Sequence, residues 1–169
     1  MKHVSDRHDA ASLRLNESPV INEMSAAKNG GLFMEKGKLR HLAISVPDKE
    51  EAAKFYEETF GFERVSQSRV AIRLSDGVMN LTLLQFQSQD DAGDERGKDF
   101  VGLHHFGIWV DDIETMKRAI EQHGGTYHPG PTAHVPENAE HKFRDPYGIV
   151  FDISTHGWDG AKQIPESSA

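Results

Sequence analysis

The feature that most constrains this chain is an internal repeat at one fixed spacing. His41 matches His105, 64 residues further on. The same step carries Ile44 to Ile108, Val46 to Val110, Asp48 to Asp112, Glu57 to Glu121 and Gly61 to Gly125. Apolar positions alone would align by chance, since every amphipathic strand–helix unit shares the same periods. A His, an Asp, a Glu and a Gly recurring in one frame point instead to a duplicated structural unit.

Local patterns say what the unit is. Leu39 to Val46 alternates as a strand does, with His41, Ala43 and Ser45 on one face and Leu42, Ile44 and Val46 on the other. Asp48 follows Pro47 as a helix N-cap. A helix is predicted from Lys49 to Thr59, with Ala52, Phe55, Tyr56 and Thr59 inward, and Gly61 ends it. Residues 62–65, 69–74 and 79–86 read as strands, the last two joined at Asp76-Gly77. The second copy runs from the His105 strand through a helix over Ile113 to His123, with Met116, Ala119 and Ile120 inward. A Pro- and His-rich loop follows from His128 to His141, then a tight turn Asp145-Pro146-Tyr147-Gly148 and a strand from Ile149 to Ser154. In that last strand Asp152 takes the place that Asn80 holds in the first copy. Each half is therefore βαβββ. The expected fold is α+β, two such modules paired into a curved sheet or open barrel.

The boundaries follow from composition. Residues 1–36 lack a sustained apolar period and read as a flexible arm. The organised domain spans 37–156, with modules at about 38–87 and 101–155, and 157–169 reads as a loose polar tail. Residues 87–98 form an acidic, solvated connection between the modules.

Charge and residue usage narrow the function. There are 19 basic and 27 acidic residues, a net charge of −8, which argues against nucleic acid and anionic membrane surfaces as partners. No apolar run reaches the roughly 18–20 residues of a membrane span, and no signal-type segment opens the chain, so a cytoplasmic location is expected. With no cysteine, thiolate ligands and nucleophiles are excluded. Histidine, at ten residues, is the conspicuous type.

The repeat brings equivalent residues toward one pseudo-twofold axis. His41 and His105 start the two first strands, and Asn80 and Asp152 lie on the two last. The bland reading of the histidines is hydrogen bonding to backbone at strand ends. Two imidazoles and a carboxylate from one duplicated unit support a sharper one, a three-donor site for a divalent ion of Fe, Mn, Zn, Ni or Co. His104, His134 and His141 are candidate bases by residue type alone.

Four segments carry a family resemblance: His41-Leu-Ala-Ile-Ser-Val-Pro-Asp48, Phe55-Tyr56 with Phe60-Gly61-Phe62, His105-Phe-Gly-Ile-Trp-Val-Asp-Asp112, and Phe143-Arg-Asp-Pro-Tyr-Gly-Ile-Val-Phe-Asp152. Over roughly residues 38–155 the chain resembles the vicinal oxygen chelate superfamily of glyoxalases, extradiol dioxygenases, fosfomycin-resistance enzymes, methylmalonyl-CoA epimerases and bleomycin-resistance proteins. The resemblance implies ligands at His41, Asn80, His105 and Asp152. Two positions depart from the usual pattern. Asp152 stands where Glu is usual, and Asn80, a weak neutral donor, stands where glyoxalase I has a carboxylate or Gln. A three-ligand site, with Asn80 lining the cavity or binding weakly, is the expectation. It implies a small substrate that chelates the ion through vicinal oxygens, with an Fe(II) or Mn(II) dioxygenase-like reaction ahead of a glyoxalase-type lyase or isomerase. The alternative class is a metal-free binding protein of the bleomycin-resistance kind. A homodimer is also implied.

Overall fold

Strand β1 (Lys38–Ser45) forms where the alternation predicts it, and Asp48 caps helix α1 (Lys49–Phe60) by accepting the Glu50 and Glu51 amides at 2.9 and 3.0 Å. Gly61 closes α1 at φ +70°, a left-handed conformation that glycine adopts freely. These elements belong to a computed structural model that describes residues 36–93, 95–128 and 140–163. His134 lies outside the described residues. The first half continues with β2 (Glu63–Gln67), β3 (Ala71–Ser75) and β4 (Asn80–Leu84). A short helix α2 (Gln89–Ala92), capped by Ser88, interrupts the connection to the second half. There follow β5 (Gly102–Trp109), α3 (Ile113–Gln122), β6 (Thr126–Tyr127), β7 (His141–Arg144) and β8 (Val150–Ser154).

The eight strands make one open mixed sheet in the order β2-β3-β4-β1-β5-β8-β7-β6. The order is a mirror about the β1–β5 seam, so the βαβββ duplication read from the sequence is the organising symmetry. Within each half the first and last strands are parallel neighbours: His41 pairs with Asn80, and Gly107 with Asp152. The halves join antiparallel through β1 and β5.

The two faces of the sheet differ. On one, α1 covers Ile72, Leu74 and Leu83 through Ala53, with Ala52 and Tyr56 beside it. The second half has its own cluster of Val110, Phe143, Phe151 and Ile153, packed by Ile113, Met116 and Ile120 of α3. Phe55, expected inward, is 54% exposed, because Ala53 rather than Phe55 points at the sheet. The other face buries polar residues: His41, Ser45, Ser75, Asn80, Thr82, His104, Asp152 and Ser154 are each at most 5% exposed. Buried polar groups are costly unless partnered, so a sheet face lined with them is the candidate for a site.

The segment after β8 packs across this polar face. Residues 157–163 are held by the sheet and do not hang free. Asn80 Nδ2 donates to Asp159 O at 2.8 Å, Ser75 Oγ to Gly160 O at 2.8 Å, and the Lys162 amide to Val78 O at 3.0 Å. Among the described residues, no helix is long and apolar enough to cross a membrane.

Candidate metal centre

The seam between β1 and β5 is irregular at two places, and both matter. In the β1–β5 register Arg40 and His104 are skipped, each an extra residue in its strand. They are repeat equivalents, one step before His41 and His105. A bulge re-aims the side chain of the extra residue. Regular alternation would send His104 and His105 to opposite faces. The bulge instead brings their rings together, with Nδ1 atoms 2.7 Å apart, and buries His104.

Three side chains converge at the seam. His41 Nε2 lies 3.2 Å from His105 Nε2, which lies 3.2 Å from Asp152 Oδ2. One donor atom from each of the three residues falls within 4.8 Å of the others. On an ion with bonds of about 2.1 Å, neighbouring donors stand about 3.0 Å apart at right angles and about 3.4 Å in a tetrahedron, so these separations fit a common ion. Neither Asp152 oxygen receives a well-directed hydrogen bond, although Lys142 Nζ stands 2.9 Å from Oδ1.

Both imidazoles are oriented from behind. Asn80 Oδ1 is 2.7 Å from His41 Nδ1 and also accepts from Thr82 Oγ1 at 2.8 Å. An amide oxygen accepts only, so His41 carries its proton on Nδ1 and turns the Nε2 lone pair to the centre. Asn80 thus holds a candidate ligand, a role that metal-binding histidines regularly require. His104 Nδ1 faces His105 Nδ1 at 2.7 Å, so the second imidazole also has a neighbour behind it, although His104 is the repeat equivalent of Arg40 and not of Asn80.

A second ring of contacts closes behind the centre. Lys142 Nζ pairs with Asp152 Oδ1 and stands 3.4 Å from Glu95 Oε1. The other Glu95 oxygen is 3.3 Å from His104 Nδ1. Glu95 comes from the connection expected to be solvated, yet its side chain is only 14% exposed. The segment is tied down by the α2 cap and by the Arg69–Asp91 ion pair. Trp158 stacks on the His41 ring at 5.0 Å and 3°. Gly107 makes room for it: a Cβ there would lie 2.4 Å from the indole and 2.9 Å from His41 Cβ.

Burial sets the charges. It lowers the pKa of His41, His104 and His105, so all three are neutral at pH 7, as donors and acceptors must be. Burial pushes Asp152 up to about 7, against the pull of Lys142. Burial also works against the charge of Lys142, but Asp152 and Glu95 overcome it and hold the amine above its ordinary range.

These shifts have opposite consequences for the ion-free protein. A histidine with a lowered folded pKa loses stability as pH falls through about 6.5, where the unfolded state takes up more protons. Asp152, with a raised folded pKa, gains stability as pH falls through about 7. Three histidines outweigh one aspartate. The melting temperature of chelator-treated protein is therefore expected to fall between pH 7 and pH 5. A flat or rising profile over that window would contradict the neutral buried histidines.

The family model for the Glyoxalase/Bleomycin resistance protein/Dioxygenase superfamily matches residues 38–153. The chain belongs to this superfamily. Solved structures share the superfamily's fold with it. A Streptomyces coelicolor methylmalonyl-CoA epimerase variant in complex with 2-nitronate-propionyl-CoA aligns with a TM-score of 0.55 and 20% identity, over 69% of this chain and 94% of that one. For the methylmalonyl-CoA epimerase of Mycobacterium tuberculosis the values are 0.53 and 19%, over 69% and 86%. For the Mn(II)-bound glyoxalase of Novosphingobium aromaticivorans they are 0.54 and 17%, over 78% of this chain and 44% of that one. The comparison with curated proteins gives no match.

Within the superfamily fold, the sequence-derived residues separate clearly. His41, His105 and Asp152 meet, Asn80 supports His41 from behind, and His104 joins them through the bulge. His141 pairs with Ile153 in the β7–β8 register, out of phase with Lys142 and Asp152, so it lies on the opposite face from the centre. Lys142, Glu95 and Trp158 were not found from the sequence. For Lys142 a signal existed, since the Asp145–Gly148 turn places it directly opposite Asp152. Glu95 and Trp158 come from irregular segments with no periodicity to read.

Proposed function

We propose that this superfamily member is a metal-dependent enzyme in which His41, His105 and Asp152 hold one divalent ion, and that its substrate is a small molecule presenting two vicinal oxygens. The supporting observation is the convergence itself. With the His105 proton on Nδ1, facing His104, two imidazole lone pairs and an oxygen of the Asp152 carboxyl group come together within 4.8 Å. Fe, Mn, Zn, Ni or Co suits that donor set. An ion there supplies a Lewis acid for the substrate oxygens.

Two reaction classes follow from different observations. The three-donor count leaves positions beyond those that two substrate oxygens take, which favours an Fe(II) or Mn(II) dioxygenase-like reaction. The Glu95 carboxylate, 3.3 Å from His104 beside the centre, favours a lyase or isomerase, since a carboxylate there suits proton abstraction. Metal-free ligand binding has its own support, because Lys142 already supplies a counter-charge to Asp152.

Metal analysis after chelation and reloading with each of the five ions tests the first step. One ion per chain is expected, and its loss in His105→Ala. No ion under any loading would sink both enzyme readings and leave the binding protein. Oxygen uptake with catechol-type substrates, set against deuterium exchange at a carbon beside a carbonyl, then decides between the two reactions.

A further inference from the structure

We infer that the Lys142 ammonium is a resident counter-ion that competes with the divalent ion for Asp152, weakening its capture, and that Glu95 is the second carboxylate that draws the ammonium aside. The inference rests on the metal reading above and concerns how tightly the ion is held.

Asp152 is the one member of the three donors whose side chain can carry a negative charge. Its charge is what attracts a dication. Yet Asp152 is fully buried, and a buried carboxylate without a counter-charge is strongly unfavourable. Lys142 meets that need at 2.9 Å. Its position directly across the β7–β8 ladder gives its backbone no freedom to withdraw. An incoming ion therefore meets an ammonium beside the oxygens it must bind. Like charges a few ångström apart in a partly buried site oppose each other by a factor of roughly ten or more even with strong screening.

The flexible stem of a lysine allows a shift that the backbone does not. Glu95 Oε1 lies 3.4 Å from Nζ and belongs to the connection between the modules rather than to the sheet. When an ion takes Asp152, the ammonium keeps a carboxylate partner without leaving the site. A lysine that served only to pack or to orient Asp152 would do the reverse on removal, because a disordered ligand binds more weakly. The sign of the effect separates the two roles.

The test uses the full chain, titrated calorimetrically with Mn(II) and with Zn(II). Lys142→Met is expected to bind both ions roughly tenfold more tightly or better than the unsubstituted chain. Its ion-free form melts lower and gains more on ion addition. Lys142→Arg, which keeps the charge, retains the weaker affinity. Glu95→Gln weakens binding, and the loss shrinks in the Lys142→Met background, as coupling through one side chain requires. Equal or weaker ion binding by Lys142→Met overturns the inference alone. If Lys142→Met does not fold, Lys142→Arg and Glu95→Gln still decide: tighter binding in the first, or unchanged binding in the second, overturns it. No ion on any of these proteins overturns the metal reading and the inference together.

Discussion

Asp152→Ala is expected to weaken divalent-ion binding by at least about 100-fold, the upper end of what loss of a supporting partner behind a ligand costs. The reason is charge as well as geometry. Among the three convergent donors, Asp152 alone can carry a negative charge, and it is fully buried where no solvent screens it. The ion-free fold is expected to survive, because Lys142 retains Glu95 as a partner. Asn80→Ala provides the graded comparison. It leaves all three donors but frees the His41 ring to rotate and change tautomer, so a loss of about 10–100-fold is expected. The measurement is ion affinity by competition with a chromophoric chelator, alongside a thermal melt of each ion-free variant. Affinity of Asp152→Ala within about threefold of the unsubstituted chain, a free-energy change well under 1 kcal/mol, would remove Asp152 from the site.

The second large effect is expected at Trp158. Trp158→Ala should cost about 3–5 kcal/mol of stability, the usual range for a buried large aromatic, and lower the melting temperature by about 10 °C. Trp158 is 8% exposed and stacks on His41. It also anchors residues 157–163, whose bonds run to Asn80, Ser75 and Val78. Losing it leaves a void beside Gly107 and loosens the strap that completes the hydrogen bonding of Asn80. Ion affinity should fall with stability, since Asn80 holds His41. Chemical denaturation with a two-state fit measures the first effect, and titration the second. A loss under about 1 kcal/mol would mean that the segment is held by its backbone bonds alone.

Much of the architecture was legible before any coordinates. The constant spacing of His41/His105, Asp48/Asp112 and Glu57/Glu121 defined two copies of one unit, and alternation and capping residues defined the elements inside each. The superfamily assignment and the open α+β sheet agree with that reading. One refinement concerns the helix ends. Gly61 and Gly125 align in the repeat, but the glycine with positive φ after α3 is Gly124, at +88°. Gly125 instead permits a close approach to Ile120, where a Cβ would lie 2.4 Å from its side chain. Phe55 shows the limit of helical periodicity: a twelve-residue amphipathic helix can turn by one residue and bury Ala53 in its place.

What the sequence determined by itself was therefore the duplication and the residues that duplication makes equivalent. Symmetry carries that information, because a repeated His in a repeated strand must occupy a repeated place. What only the tertiary structure decided was the set of groups that break the symmetry or enter from irregular segments. His104 reaches the centre through a one-residue bulge that alternation cannot predict. Glu95 turns inward because α2 and the Arg69–Asp91 pair fix its segment. Trp158 lies on His41 because Gly107, on a different strand, leaves the space. Each is a consequence of packing between distant segments, and no local pattern in the chain encodes it.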